Sequence, residues 1–224
     1  MIKVYLDWNC ITNCKDTLSE LKYLMEQYKN IFICPYSIAH LRDVQTKCDV
    51  NPIEYENDLD LLTEICGSHI LLCSDDIQLR NISPREYLSD SGDILYCLQN
   101  KFPFPYDSLR KLFRSTISPE ALKRIAIEDN PHNVFSLANE TLHRHLGVSD
   151  VESFVKQIYP SSNHTLEMKI KHEYFMIDML GYKSESKNKS FSNIDTDAQH
   201  IYSAIFCDYL ISNDWRFRNK AKAI

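Results

Sequence analysis

Glycine is scarce in this chain: 4 among 224 residues. Phosphate-cradling loops and dinucleotide fingerprints need several glycines within a few positions, because the backbone must turn tightly and approach a phosphate with no Cβ in the way. Both are poor readings here. No apolar run approaches membrane-spanning length. The N-terminus enters a strand-like run directly, without the pattern of a secretory leader. Positive charge is also short: the net charge of −6 argues against a generally basic nucleic-acid coat, though not against a local basic strip. The 8 cysteines are scattered, and no second Cys or His pair completes a zinc spacing with Cys10 and Cys14. Reduced, mostly buried thiols in a cytoplasmic protein are the expectation. Neither a Ser/His/Asp nor a Cys/His nucleophile signature is present.

With 44% hydrophobic residues the chain can bury a full core. Its flanks alternate strand-like and helical patterns. A strand at about 2–7 precedes a helical stretch at 17–25, and Ile31-Phe32-Ile33-Cys34 reads as a short buried strand. Ser37 then caps a helix over 38–44, and a further helical pattern at 53–66 ends at Gly67 before the run 70–73. This alternation predicts βαβ units and a mainly parallel sheet. Residues from about 80 to 163 break the rhythm with prolines between short helical pieces (118–127, 149–158), as a helical insertion would. A helix at 164–181, a polar loop at 183–190, a helix opening at Asp197, a strand at 208–212 and a basic tail complete the chain.

The first strand runs into Asp7, and the last clear strand, Tyr209-Leu210-Ile211-Ser212, runs into Asn213-Asp214. Strands disfavour Asp, yet strand C-termini are where open parallel sheets form ligand sites. Asp43 falls six residues after Ser37, about 9 Å along its helix at 1.5 Å per residue, toward the same sheet edge. Asp197 stands at an expected helix N-terminus, where a carboxylate is favoured as a cap in any case. Four carboxylates of this kind suit Mg²⁺ or Mn²⁺, which bind through few carboxylates and keep several waters. Asn9 and Ser212 are placed to hold such ligands or a bound water. Asp208 starts the last strand and reads as structural or supporting, Asp195 is an understudy for Asp197, and His40 and His200 read as hydrogen-bonding neighbours of the acids. His143 and His145 read as surface residues. Arg216, Arg218, Lys220 and Lys222 alternate after Asp214, with Trp215 and Phe217 interleaved, as a phosphate-gripping edge would.

Together, Leu6-Asp7-Trp8-Asn9, Pro35-Tyr36-Ser37-Ile38-Ala39-His40-Leu41-Arg42-Asp43, Asp197-Ala198-Gln199-His200 and Leu210-Ile211-Ser212-Asn213-Asp214-Trp215-Arg216-Phe217 resemble the PIN-domain nuclease family over about 1–75 and 165–224. The resemblance implies one domain over 1–224, a three-layer α/β/α sandwich with a central parallel sheet and a helical insertion at about 80–163. It implies a Mg²⁺- or Mn²⁺-dependent endoribonuclease with Asp7, Asp43, Asp197 and Asp214 as catalytic metal ligands. Asn9, Ser212, Asp208 and His200 would support them, and Arg216, Arg218 and Lys220 would hold single-stranded or structured RNA. A toxin or defence effector, a homodimer and a regulatory protein partner are all compatible with that family, and no membrane is expected. The chain departs from the pattern in having Asp43 where Glu is common, and in the length of its middle. Two alternatives stand beside it. One is a catalytically inactive PIN-like scaffold that binds RNA or protein. The other is a phosphotransferase of the haloacid-dehalogenase type with Asp7 as nucleophile, which would want a second acid where Asn9 stands.

Overall fold

The computed structural model describes residues 1–15, 20–73, 77–91, 106–158, 165–184 and 191–224. By contacts the chain divides into two compact units, Met1–Phe102 with Gln199–Asn213, and Pro103–Ala198 with Asp214–Ile224.

In chain order the first unit carries β1 (Ile2–Leu6), α1 (Trp8–Asn13), α2 (Glu20–Tyr28), β2 (Phe32–Ile33), β3 (Tyr36–Ser37), α3 (Ile38–Gln45), α4 (Pro52–Cys66), β4 (His69–Cys73), β5 (Ile77–Asn81), α5 over residues 84–91, and the late strand β6 (Tyr209–Ile211). β1 is the middle strand of one small sheet, parallel to β2 on one side and to β6 on the other. β3 pairs parallel with β4, and β5 returns antiparallel on β4. Cys34-Pro35 separates β2 from β3 by two residues; proline has no N–H for a ladder, so pairing breaks there. β1 is covered on both faces. Leu6 joins Ile11, Tyr36, Leu41, Leu62 and Ile70 in the larger core, while Tyr5 packs with Leu71 and Ala204. Burial on both faces at its C-terminal end explains why Val4-Tyr5-Leu6 does not alternate, while Ile2 and Lys3 at the strand start are more open.

The second unit is helical among its described residues: α6 (Tyr106–Ser115), α7 (Pro119–Ile127), a 3₁₀ turn (Pro131–Asn133), α8 (Val134–Leu146), α9 (Val151–Ile158), α10 (Leu166–Met179), the first part of α11 (Phe191–Ala204), and α12 (Trp215–Ala223). Val134, Ala138 and Leu142 recur at four-residue spacing on α8. They meet Met176, Ile177 and Leu180 in a core of their own. Ser118 caps α7 by accepting from Ala121 N–H at 3.3 Å, with Pro119 at the first helical position.

The strands at the flanks and the helices at 38–45, 52–66 and 119–127 fall close to their expected positions. The middle differs. Residues 77–81 form β5, so the helical part begins later than about 80, and the second unit takes in 165–198 and the C-terminal helix. α11 also starts six residues earlier than the sequence suggested, at Phe191 and not at Asp197. Ile194, Ala198 and Ile201 are buried at three- and four-residue spacing, and that apolar stripe overrides the weak helix propensity of Ser192, Asn193 and Thr196. Thr17–Ser19 of the expected early helix, Cys97 and residues 185–190 of the expected polar loop lie outside the described residues.

Candidate functional site

The C-terminal end of β1 gathers the polar chemistry of the first unit. Asp7 leaves the strand in extended conformation (φ −71°, ψ 167°) and caps α1, its Oδ1 accepting from Cys10 N–H at 2.8 Å. Its Oδ2 accepts from the Ser212 hydroxyl, and its own N–H donates to Ile211 O at 3.0 Å, which ties it to the end of β6. Asp7 is only 4% exposed. Burial, with the Asp7 carboxylate beside it, pushes the Cys10 thiol up to about 12, so that sulfur stays protonated and inert.

Ser37 caps α3 as expected, and the third helical residue completes a reciprocal box in an unusual way. His40 Nδ1 accepts from Ser37 N–H at 3.0 Å, a place usually taken by Glu or Gln. Nδ1 being an acceptor, Nε2 carries the proton and donates to Leu6 O at 2.7 Å. His40 therefore clamps the peptide that carries Asp7. Burial, then the neighbouring His200, holds His40 well below the ordinary histidine value, so it works as a neutral ring.

A second chain of hydrogen bonds ends on Asp43. His200 Nε2 lies 2.8 Å from Asp43 Oδ2, and His200 Nδ1 lies 2.8 Å from the Tyr5 hydroxyl. The Tyr5 hydroxyl is in turn 2.7 Å from Ser37 Oγ, which accepts from Ala39 N–H at 3.2 Å. With a neutral His200 these partners assign one direction throughout: Ser37 donates to Tyr5, Tyr5 to Nδ1, and Nε2–H to the Asp43 carboxylate. Burial drives the Tyr5 phenol well above its ordinary value and keeps it a donor. The Tyr5, His40 and His200 rings pack at 4.8–5.8 Å between centroids. Only Asp43, with a quarter of its side chain exposed, brings the chain to solvent.

The buried acids differ in their company. Asp58 is flanked by Lys15 at 2.6 Å and Lys47 at 2.8 Å, and Asp178 of the second unit pairs with the buried Lys220. Asp7, the remaining buried carboxylate among the described residues, has no lysine, arginine or histidine partner there. A buried carboxylate without a countercharge is costly. Hard oxygen donors in this condition fit Mg²⁺ or Mn²⁺, which complete their shells with water. They do not fit an ion that demands a full protein cage, because no group of three or more His, Cys, Asp or Glu among the described residues is arranged to hold a metal.

No protein-family profile, curated protein or solved structure matches this chain.

The remaining expected residues fall as follows. Asn9 is exposed on the first turn of α1. Asp208 sits at the other end of the sheet: its Oδ2 accepts from Lys3 N–H at 2.7 Å and its N–H donates to Lys3 O at 2.8 Å, so it closes the β1–β6 ladder at the strand starts and does not support Asp7. Asp197 and Asp214 belong to the second unit. Asp197 is the seventh residue of α11, where it cannot be a cap, and accepts from the Tyr174 hydroxyl at 2.8 Å. Asp214 caps α12, its Oδ1 accepting from Arg216 N–H at 2.7 Å and Phe217 N–H at 3.2 Å. Asp195 pairs with Lys171 at 3.2 Å. Arg216 and Arg218 are exposed, but Lys220 is fully buried against Asp178 and the Tyr174 ring, which removes it from any surface strip. The helical turn of 100° per residue, unlike the alternation of a strand, separates 220 from 218 and 222. His143 is exposed on α8, as expected.

No motif marks Tyr5; its one signal is a hydroxyl two residues before Asp7, on the same face of β1. Two open cavities, about 400 Å³ lined by residues such as Lys22, Phe32, Cys34 and His69, and about 340 Å³ between α9 and α10, include none of the expected catalytic acids.

Proposed function

We propose that this protein is a Mg²⁺- or Mn²⁺-dependent nuclease acting on RNA, with Asp7 and Asp43 of the first unit holding the ion. The observation that carries the reading is Asp7: a buried carboxylate at a parallel-strand C-terminus, held by hydrogen bonds yet lacking the lysine that its buried counterparts Asp58 and Asp178 possess. An ion bound there supplies a charge that activates water and offsets the negative charge of a phosphodiester in displacement. The chain's own residues supply order. Ser212 and Cys10 N–H fix the Asp7 carboxylate, His40 fixes the peptide bearing it, and His200 with Tyr5 fixes the rotamer of Asp43. The parallel pairing around β1 and its burial on both faces support the α/β/α sandwich of the PIN-like resemblance. Asp197 and Asp214 enter this reading through that resemblance alone, and exposed Arg216 and Arg218 are the residues offered to phosphate.

A second reading has an observation of its own. Each of the four acids has a structural partner, which suits a catalytically inactive scaffold that binds RNA or protein. Labelled single-stranded RNA and DNA, incubated with Mn²⁺, Mg²⁺ or EDTA, separate the two when wild type is compared with Asp7→Asn. A nuclease cuts only with metal and loses cutting in the variant. The divalent ion also raises the melting temperature of wild type and leaves Asp7→Asn unmoved, since a ligand stabilises the state that binds it. A wild type that shows neither cutting nor a metal-dependent melting shift would sink the nuclease reading.

A further inference from the structure

α12 presents two unlike faces. Phe217 and Lys220 are buried and anchor the helix, Lys220 through Asp178 and the Tyr174 ring at 4.9 Å. On the other side Trp215, Arg218 and Lys222 fall at spacings of three and four residues, one outward stripe of a helix, and all three are exposed. Trp215 keeps 48% of its surface open. Its indole has cations around it: the Lys183 ammonium at 5.6 Å and the Arg216 guanidinium at 5.4 Å from the ring centre. Lys183 is itself fixed, with its side chain only 10% exposed and paired to Asp129 at 3.2 Å. Arg216 is exposed and makes no ion pair among the described residues, nor does Lys222. The helix N-terminus is already capped by Asp214, so the stripe and not the helix end is the feature to explain. Although the chain carries −6, lysines and arginines outnumber acids in the second unit.

We propose that Trp215 is a stacking platform for an unpaired base of a single-stranded nucleic acid, with Arg216, Arg218 and Lys222 taking its phosphates. An exposed indole offers a flat apolar face to any base, and cations beside it track the charged backbone. Duplexes hide their base faces, so the site selects unpaired strands. This deepens the nuclease reading on its substrate side, but as a binding site it needs no cleavage.

The test is the anisotropy of end-labelled oligouridylate, and of a matching RNA duplex, titrated in EDTA with the full chain. Wild type is compared with Trp215→Ala, Trp215→Leu and Trp215→Tyr. Trp215→Ala and Trp215→Leu should weaken single-strand binding by about 5- to 150-fold, the range of one lost base stack, while Trp215→Tyr keeps most of it and duplex binding stays unchanged. Arg216→Gln and Lys222→Gln should each lower the slope of log affinity against log salt by about 0.7. Melting temperatures establish that the variants fold; should Trp215→Ala melt early, the pair Trp215→Leu and Trp215→Tyr decides. Single-strand binding that survives Trp215→Leu overturns the proposal. So does equal loss on duplex, or a wild type that binds no oligonucleotide, which would assign the face to a protein contact. Failure of cleavage with Trp215-dependent binding intact would overturn the nuclease reading alone.

Discussion

Tyr5→Phe is a clean probe of the network beneath Asp43. The ring remains, so no cavity opens, and only the hydroxyl that joins Ser37 Oγ at 2.7 Å to His200 Nδ1 at 2.8 Å is lost. Both partners are nearly inaccessible, Ser37 at 1% and His200 at 4% exposure, so water cannot replace it. Ser37 Oγ keeps the Ala39 N–H and lies 3.4 Å from His40 Nδ1, so the loss falls on His200 Nδ1 and amounts to one buried hydrogen bond, about 1–3 kcal/mol. At about 2–4 °C per kcal/mol for a chain of this size, the melting midpoint should fall by roughly 2–12 °C. His200 keeps its proton on Nε2, because the Asp43 carboxylate still requires a donor, but Nδ1 loses its hydrogen bond, and its ¹⁵N resonance should move downfield. Ser37→Ala in the Phe background should cost less than in wild type, since the hydroxyl it removes has already lost its acceptor. An unchanged midpoint, an unmoved Nδ1 resonance and additive single effects would together refute the directed chain from Ser37 to Asp43.

Other expectations follow from the same contacts. His40 is held well below the ordinary histidine value of 6.5, so the unfolded chain binds a proton near that value and the folded chain does not. Its contribution is complete above 6.5 and is lost as pH falls toward the folded value, by up to about 1.4 kcal/mol per pH unit; urea midpoints across this range should fall less steeply with acid in His40→Gln. Lys220→Met removes the closest cation from the buried Asp178 carboxylate, leaving it the Tyr106 hydroxyl and Arg110 at 3.9 Å, and should destabilise by about 3 kcal/mol, with part of the loss recovered in Lys220→Met/Asp178→Leu. Equal melting of the single and double variants would argue against that pairing. Asp208→Ala removes the acceptor of Lys3 N–H and should lower stability by about 1 kcal/mol without touching the cleavage proposed above; loss of that cleavage in a folded Asp208→Ala protein would return Asp208 to the site.

Local rules reach some of this molecule. Apolar runs bounded by Asp7, Pro35, Gly67 and Asp214, and helical spacing over 38–45 and 52–66, made the strands, the parallel pairing and the Ser37 cap readable, because each depends on neighbours in the chain. The strand-end position of Asp7 was readable for the same reason. The start of α11 was not, because a stripe of Ile194, Ala198 and Ile201 needs a surface to bury against before it can outweigh polar residues. Lys220 looked like its neighbours Arg218 and Lys222 until helical phase turned it inward onto Asp178, 42 residues away in sequence.

Position along the chain alone places the candidate groups: acids at strand ends, a basic aromatic tail, and too few glycines for a phosphate loop. What those residues meet depends on the fold. Tyr5, Ser37, His40 and His200 come from β1, β3, α3 and α11, and hydrogen-bond partners up to 195 residues apart have no local signature. Whether a buried carboxylate finds a lysine, as Asp58 and Asp178 do, or only hydrogen-bond donors, as Asp7 does, depends on which side chains the packing places beside it. Burial and charge pairing are properties of neighbours in space, and spacing along a chain does not contain them.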